Sequence, residues 1–532
     1  MNKARRAIAA LVLSILANRF ATAAVELPAV FGDHMVIQQG KPVLVWGKAN
    51  AGELVVVELA GERATANADT SGRFSVELPP LTVAKNTGPQ ELTVSASNTV
   101  RIRDVLVGEV WICSGQSNMR LPLKECTGGT TETANAKFDR IRILSVPDGY
   151  SSTPQFTFKS RWAVCSPQTI GGFSGAGYFF AKEMHRALDV PVGVIDSSLG
   201  WSPGEAWVPT SVLESSPITK PIIDRQRGLA GQFESLESDY QKQLALWKAH
   251  RSEIQAKEKA NPAGTTQPAD DLGPRPRRVF GIDPRLRPSE PYNAMMAPLI
   301  PFRIAGVAWY QGETNAVRAE QYRTLLPLLI AHYRKMFQSA DLPFGIVQLP
   351  NHVNKDVAFD TSWAEMRESQ LLTHRAVPHT GLIVTFDIGE SNNIHPGNKR
   401  DVGARLAKWA LTEVYGRPGE PSGPLFKSAA VDSGSIKITF DHADSGLLSR
   451  EDELKGFTIA GEDRIFVPAD AKIDGKQIIV SSPKVIRPVA VRYAWGDDPV
   501  GTLMNGSKLP ASPFRTDDWP LKTAGVLTTD WQ

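Results

Sequence analysis

Three short stretches of this 532-residue chain carry side chains suited to acyl chemistry. Ser114-Gly115-Gln116-Ser117-Asn118 offers two hydroxyls. Trp309-Tyr310-Gln311-Gly312-Glu313-Thr314-Asn315 offers two amides and a carboxylate. Asn393-Ile394-His395-Pro396 offers an imidazole. A hydroxyl nucleophile, an amide donor to a developing oxyanion and an imidazole base are the components of acyl transfer. The same residues also make ordinary turns, since Ser, Gly and Asn are common at strand exits. Ser114 and Ser117 compete for the nucleophile. Gly115 lets the backbone turn just before Ser117, whose own N–H can face an oxyanion. The G-x-S-x-G elbow does not fit, because Met119 stands where its second glycine belongs. Of the nine histidines, His34, His185, His250, His332 and His442 lie in helix- or strand-like surroundings, and His352, His374 and His379 lie in no recognisable loop motif. His395 follows a strand exit and precedes a proline that fixes the loop ahead of a helix.

Each stretch needs an element to present it, and an apolar run precedes each one. Val105 to Cys113, Ile304 to Ala308 and Leu382 to Phe386 read as buried strands. Between them, strand-like runs (141–146, 192–196, 344–349) alternate with helix-like ones (174–188, 320–337, 363–374, 399–415). That alternation predicts an α/β domain with a mostly parallel sheet. Ser174 reads as a helix N-cap and Pro327 as a kink. The preceding residues, 25–104, show short alternating runs separated by Gly, Asn, Asp and Pro, the pattern of a small β-sandwich. Short strands return from about 421 to 532, as a second β module that either binds glycan or packs. Residues 212–285 break the α/β alternation. Phe233, Leu236, Tyr240, Leu244 and Trp247 follow helical spacing, predicting a long helix over 229–260 and a flexible linker over 261–268. This insertion reads either as a lid or cleft wall, or as a surface excursion or oligomer contact.

The formal net charge of +3 points to neither nucleic acid nor an anionic membrane as partner. Lys3, Arg5 and Arg6, the apolar run Ile8 to Ala17 and the small residues Ala21-Thr22-Ala23 read as a secretory signal over 1–24, too short to span a bilayer. The expected location is therefore secreted or periplasmic, with no stable membrane anchor. Of three cysteines, Cys113 reads as a core thiol, while Cys126 and Cys165 lie in loop-like sequence where they can pair or stay free. No Cys/His spacing resembles a zinc site, and no metal or cofactor is expected.

The wording of the motifs goes further. GEVWICSGQSNM, WYQGETN and IHPGNK, in this order, resemble the sialate O-acetylesterase family of SGNH (GDSL-like) hydrolases, as do VGVIDSSLGWSPGEAW, PYNAMMAPL, VRYAWGDDP and LPASPFRTD. The resemblance covers nearly the whole chain after the signal, except roughly 212–285. It implies a three-layer SGNH-hydrolase domain over 105–420, flanked by the two β modules. It also implies a serine esterase that removes acetyl groups from sugars. Ser117 matches the family nucleophile and His395 its base. The general SGNH pattern places an aspartate three residues before the histidine. Asn392 stands there instead, which leaves Asp387, Glu390 or a backbone carbonyl to orient the ring, with Asp387 preferred. The N–H groups of Ser117 and Gly200 and the side-chain amide of Gln311 are the expected oxyanion donors, with Asn315 as the alternative amide and Glu313 as a supporting hydrogen-bond partner. Where the family shows Gly-Gly-Thr, this chain has Gly200-Trp201-Ser202, a change at the pocket floor. O-acetylated sialic acid is the substrate the family implies. Acetylated hemicellulose, xylan or xyloglucan, is the alternative, and an inactive glycan-binding protein is the alternative of another class.

Overall fold

The computed structural model describes residues 24–260, 273, 275–276, 278–353 and 362–529. The signal expected over 1–24, apart from Ala24, and the linker expected over 261–268 lie outside these residues. The strands of the first two-thirds of the chain are β1 (Val36–Gln38), β2 (Val43–Lys48), β3 (Leu54–Leu59), β4 (Glu62–Asn67), β5 (Arg73–Leu78), β6 (Gln90–Ser95), β7 (Thr99–Gly115), β8 (Phe138–Ser145), β9 (Ala163–Cys165), β10 (Val192–Ser198), β11 (Gly306–Tyr310), β12 (Phe344–Val347) and β13 (Thr380–Ile383). The helices that concern the site are α1 (Ser117–Arg120), α2 (Gly175–Leu188), α3 (Lys220–Ala230), α4 (Phe233–Ala260), α5 (Ala319–Met336), α6 (Trp363–Ala376) and α7 (Lys399–Glu413).

One sheet organises the fold, with order β13-β12-β11-β7-β10-β8-β9. All neighbouring pairs from β13 to β8 are parallel, and β9 closes the edge antiparallel to β8. The chain lays down β7, β8 and β10 on one side and then crosses to β11, β12 and β13 on the other. The order therefore reverses at β7, and the crevice beyond the carboxyl ends of its neighbours is where open α/β sheets take ligands. Alternate residues of these strands feed two cores, as a period of two requires. Trp111, Cys113, Val194, Ala308 and Tyr310 pack with Phe179, Phe180 and Met184 of α2 and with Leu406 and Trp409 of α7. Val110, Ile112, Ile195, Val307 and Trp309 pack on the other side with Tyr322 and Leu325 of α5 and Met366 and Leu371 of α6. Ser174 caps α2 as expected, its Oγ accepting from Gly177 N at 3.0 Å.

β7 is longer than its apolar core suggested. Its first half pairs antiparallel with β6, Val36 to Gln38 of β1 lie parallel beside 106–108, and its second half lies between β10 and β11. A single strand thus runs from the N-terminal β layer to the centre of the α/β sheet. β4 escapes the sequence pattern because its residues are exposed or half-exposed on both faces. Among the described residues of the insertion, α3 and α4 stand where one continuous helix from 229 is expected. Among the described residues no helix is long and apolar enough to cross a membrane.

The C-terminal part forms a four-stranded antiparallel sheet of Leu425–Asp432, Ser435–Asp441, Gln477–Ser481 and Asp470–Asp474, with smaller sheets beside it. It is wired to the loop after β12. The fully buried Arg367 of α6 donates to Leu349 O (2.9 Å), Pro350 O (2.8 Å), Gly496 O (2.6 Å) and Asp497 O (2.9 Å). Asn351 Nδ2 donates to Asp498 Oδ1 at 2.5 Å, and Val353 N donates to Ser391 O at 2.7 Å. The loop that follows the strand Ala490–Tyr493 thereby fixes a segment that borders the histidine loop. Cys113, Cys126 and Cys165 are all buried free thiols, so the pairing left open for Cys126 and Cys165 is not made.

Candidate active site

The end of β7 separates the two competing serines. Ser114 is fully buried and donates its hydroxyl to Ser197 O of β10 at 2.7 Å. Ser117 is half-buried and is the first residue of α1, where N–H groups have no intrahelical acceptor. Gly115 makes the turn between them. Its φ is +131°, and a Cβ there would lie 2.2 Å from Tyr310 O, so a side chain is refused on both counts. The loop after β10 comes to the same place. A Cβ built on Gly200 would lie 3.9 Å from Ser117 Cβ, which sets the Gly200 backbone against the serine.

Two side chains flanking Ser117 bind the other loops to it. Gln116 Oε1 accepts from Gln311 Nε2 (3.2 Å), Gly312 N (3.3 Å) and Thr314 N (3.4 Å), holding the loop after β11. Asn118 is fully buried. Its Nδ2 donates to Glu313 Oε1 (2.5 Å) and Ile394 O (2.9 Å), and its Oδ1 accepts from Lys399 Nζ (2.7 Å). Lys399, the first residue of α7, also donates to Pro396 O at 2.8 Å and lies 5.4 Å over the Tyr310 ring. The residue after the serine is thus stitched to the residue before the histidine. Burial lowers the Lys399 pKa to about 8 and raises that of Glu313, whose Oε2 is buried without a hydrogen-bond partner.

His395 is half-buried, and its backbone N–H donates to Asn393 Oδ1 at 3.0 Å. Burial first, then the charges of Lys399 and His352, hold its pKa below the ordinary imidazole value. A neutral ring at neutral pH is the form a general base requires.

The expected orienting carboxylates are engaged elsewhere. Asp387 forms a two-pronged pair with Arg405 of α7, 2.7 Å on each arm. Glu390 accepts from Gly397 N (2.7 Å) and Asn393 Nδ2 (2.9 Å), and so shapes the histidine loop. Asn392 is exposed. Among the described residues no hydrogen bond reaches the His395 ring, and Asp387, the carboxylate the sequence reading prefers for orienting that ring, is held by Arg405 instead. The guanidinium one and a half turns into α7 is the stronger partner for that carboxylate.

The amides of the second loop are also committed. Gln311 is fully buried. Its Nε2 donates to Asn315 Oδ1 (2.7 Å), Gln116 Oε1 (3.2 Å) and Ser202 O (3.4 Å), and its Oε1 accepts from Tyr322 OH (2.7 Å). Asn315 donates to Glu205 Oε2 at 2.8 Å, and Glu205 is paired with Arg318 at 2.5 Å, all of it buried. These bonds leave Gln311 and Asn315 supporting the loop from beneath rather than facing Ser117. The donors that remain beside the serine are the N–H groups of Ser117 and Gly200, for which no hydrogen-bond acceptor is found among the described residues. Asn118 and Lys399 were not singled out from the sequence, although both stand inside the two motifs that named Ser117 and His395. Together these groups provide a hydroxyl, a neutral imidazole and a pair of backbone donors at one end of a parallel sheet, the requirements for acyl transfer.

Residues 286–412 match the family described as carbohydrate esterase, sialic acid-specific acetylesterase. The sialate O-acetylesterase of Rattus norvegicus is 26% identical, over 91% of this chain and 92% of its own length, and that of Homo sapiens is 25% identical, over 95% of each. A crystal structure of a carbohydrate acetylesterase from Xanthomonas citri superposes with a TM-score of 0.77 at 35% identity, covering 93% of this chain and all of that one. On sequence and on fold, the chain belongs to the sialate O-acetylesterase family of carbohydrate acetylesterases.

Proposed function

We propose that this chain is a serine carbohydrate O-acetylesterase with Ser117 as nucleophile and His395 as general base. Ser117 Oγ attacks the acetyl carbonyl while His395 takes its proton. The N–H groups of Ser117 and Gly200 receive the negative charge on the carbonyl oxygen. Collapse of the tetrahedral intermediate expels the sugar oxygen, which takes the proton back from His395. Water, activated by the same imidazole, then releases acetate from the acetyl-serine. The observation that carries this reading is Asn118, which bonds the loop before His395 while adjoining Ser117.

The base is read as a dyad member. Its ring is positioned by a loop that Glu390, Asn393, Asn118 and Lys399 hold, while Asp387 anchors that loop to α7 through Arg405. The helices on both faces of the sheet support the three-layer SGNH-hydrolase reading of residues 105–420, with β domains over 25–104 and 421–532 and an insertion over 212–285. A signal over 1–24 would place the mature enzyme outside the cytoplasm, where acetylated glycans are met. The test is acetate release from an O-acetylated sialic acid, from acetylated xylan and from 4-nitrophenyl acetate by the wild type, Ser117→Ala and His395→Ala. Release lost in both variants supports the mechanism. Release that survives Ser117→Ala refutes it.

A further inference from the structure

Trp201 is out of place as a structural residue. It is 61% exposed, the most exposed tryptophan among the described residues, and it belongs to neither core. Its φ is +69°, a left-handed conformation that a bulky side chain enters at a cost glycine does not bear. Strained backbone persists only where the surroundings impose it, and such positions gather at functional sites. Here the surroundings impose it from both sides. Leu199 N donates to Gly115 O at 3.0 Å. The buried Ser202 donates its hydroxyl to Leu199 O at 2.7 Å and accepts from Trp207 Nε1 at 2.9 Å. Thr314 Oγ1 donates to Trp201 O at 3.0 Å. A rigid loop therefore presents an indole to solvent. Because Gly200 abuts Ser117, Trp201 Cα lies within about 9 Å of Ser117 Cβ.

We infer that Trp201 is a stacking platform for the pyranose ring that bears the acetyl group, and that it selects esters on the ring itself over esters on a flexible exocyclic chain. This rests on the esterase reading above. The C–H face of a pyranose is apolar and matches the face of an indole, and a large rigid aromatic surface binds it at little entropic cost. A platform this near the serine meets the ring directly carrying the ester. An acetyl group at the end of a chain several bonds long would hold its ring away from it. The substrate class is thus a ring-acetylated pyranoside, such as an acetylated hemicellulose unit.

The test compares wild type, Trp201→Phe and Trp201→Gly on acetylated xylo-oligosaccharides, on 9-O-acetyl-N-acetylneuraminic acid and on 4-nitrophenyl acetate. Glycine suits the left-handed φ, so the melting temperature of Trp201→Gly should not fall. In Trp201→Gly, the kcat/KM for the xylo-oligosaccharides should drop about tenfold relative to that for 4-nitrophenyl acetate, chiefly through KM, and Trp201→Phe should keep most of it. Equal losses on both esters, no loss on the oligosaccharides, or a selective loss on the sialic acid ester would each overturn the inference. A wild type active on 4-nitrophenyl acetate but on neither sugar would overturn it while leaving the serine chemistry intact. A wild type inert on all three would remove the esterase reading itself and the inference with it.

Discussion

Lys399 Nζ donates to Asn118 Oδ1 at 2.7 Å, across 281 residues of sequence, and this bond joins the start of α7 to the residue after Ser117. Asn118 has two more bonds, to Glu313 and to Ile394 O, so three loops meet on one buried amide. Replacing it with Leu would strand a buried ammonium and a buried carboxylate. Asn118→Leu should lower stability by about 3 kcal/mol or more and kcat on 4-nitrophenyl acetate by at least about tenfold. Urea unfolding and steady-state kinetics measure the two effects.

Asp387 is bound to Arg405 and not to the imidazole. A carboxylate that orients a catalytic histidine is worth about 10⁴ in kcat. Asp387→Asn should cost much less, about tenfold or under, and Arg405→Leu should resemble it, with a lowered melting temperature in both. A 10⁴-fold loss confined to Asp387→Asn would restore that residue as the orienting acid.

His395 titrates below the ordinary 6.5 because burial and the nearby Lys399 and His352 disfavour its charged form. As the proposed base His395 must be neutral, so the acid limb of kcat/KM should fall below pH 6.5. Lys399→Met removes one of the charges that lower the pKa. The acid limb of its residual activity should move to higher pH, which a pH–rate profile reads directly.

Asp196 lies in β10 beside the β7 strand, where burial raises its pKa from 3.8 to about 7, while Ser198 Oγ donates to it at 2.5 Å and Arg120 opposes the shift. A carboxyl whose folded-state pKa is raised gives a contribution that is full below the unfolded value and is lost as pH rises through the folded one. Stability should therefore decline between about pH 4 and pH 7. Asp196→Asn keeps an acceptor for Ser198, cannot ionise, and should flatten that decline. Chemical denaturation across this range would detect a difference of a few kcal/mol, about 1.4 for each unit of pKa shift retained.

Local information supplied the candidate chemistry and the strands that present it. An apolar run ending in a polar, glycine-containing loop is a short-range pattern, and it marks β7, β11 and the candidates Ser117 and His395. The cap at Ser174 was readable for the same reason, since its bond spans three residues. β4 was not readable, because a strand exposed on both faces has no alternation to show. Pairing across long separations belonged to the tertiary structure alone. Asp387 and Glu390 are equally good carboxylates in sequence, and only the approach of Arg405 to one and of Gly397 N to the other assigns their work. Gln311 and Asn315 are likewise equivalent amides until burial and competing acceptors commit their protons. Asn118 and Lys399 lie 281 residues apart, and what brings them together is the parallel sheet, which gathers the ends of non-consecutive strands at one edge and buries what lies between. Residue types therefore set which reaction is possible, and the desolvated geometry at the carboxyl edge of the sheet decided which side chains face it.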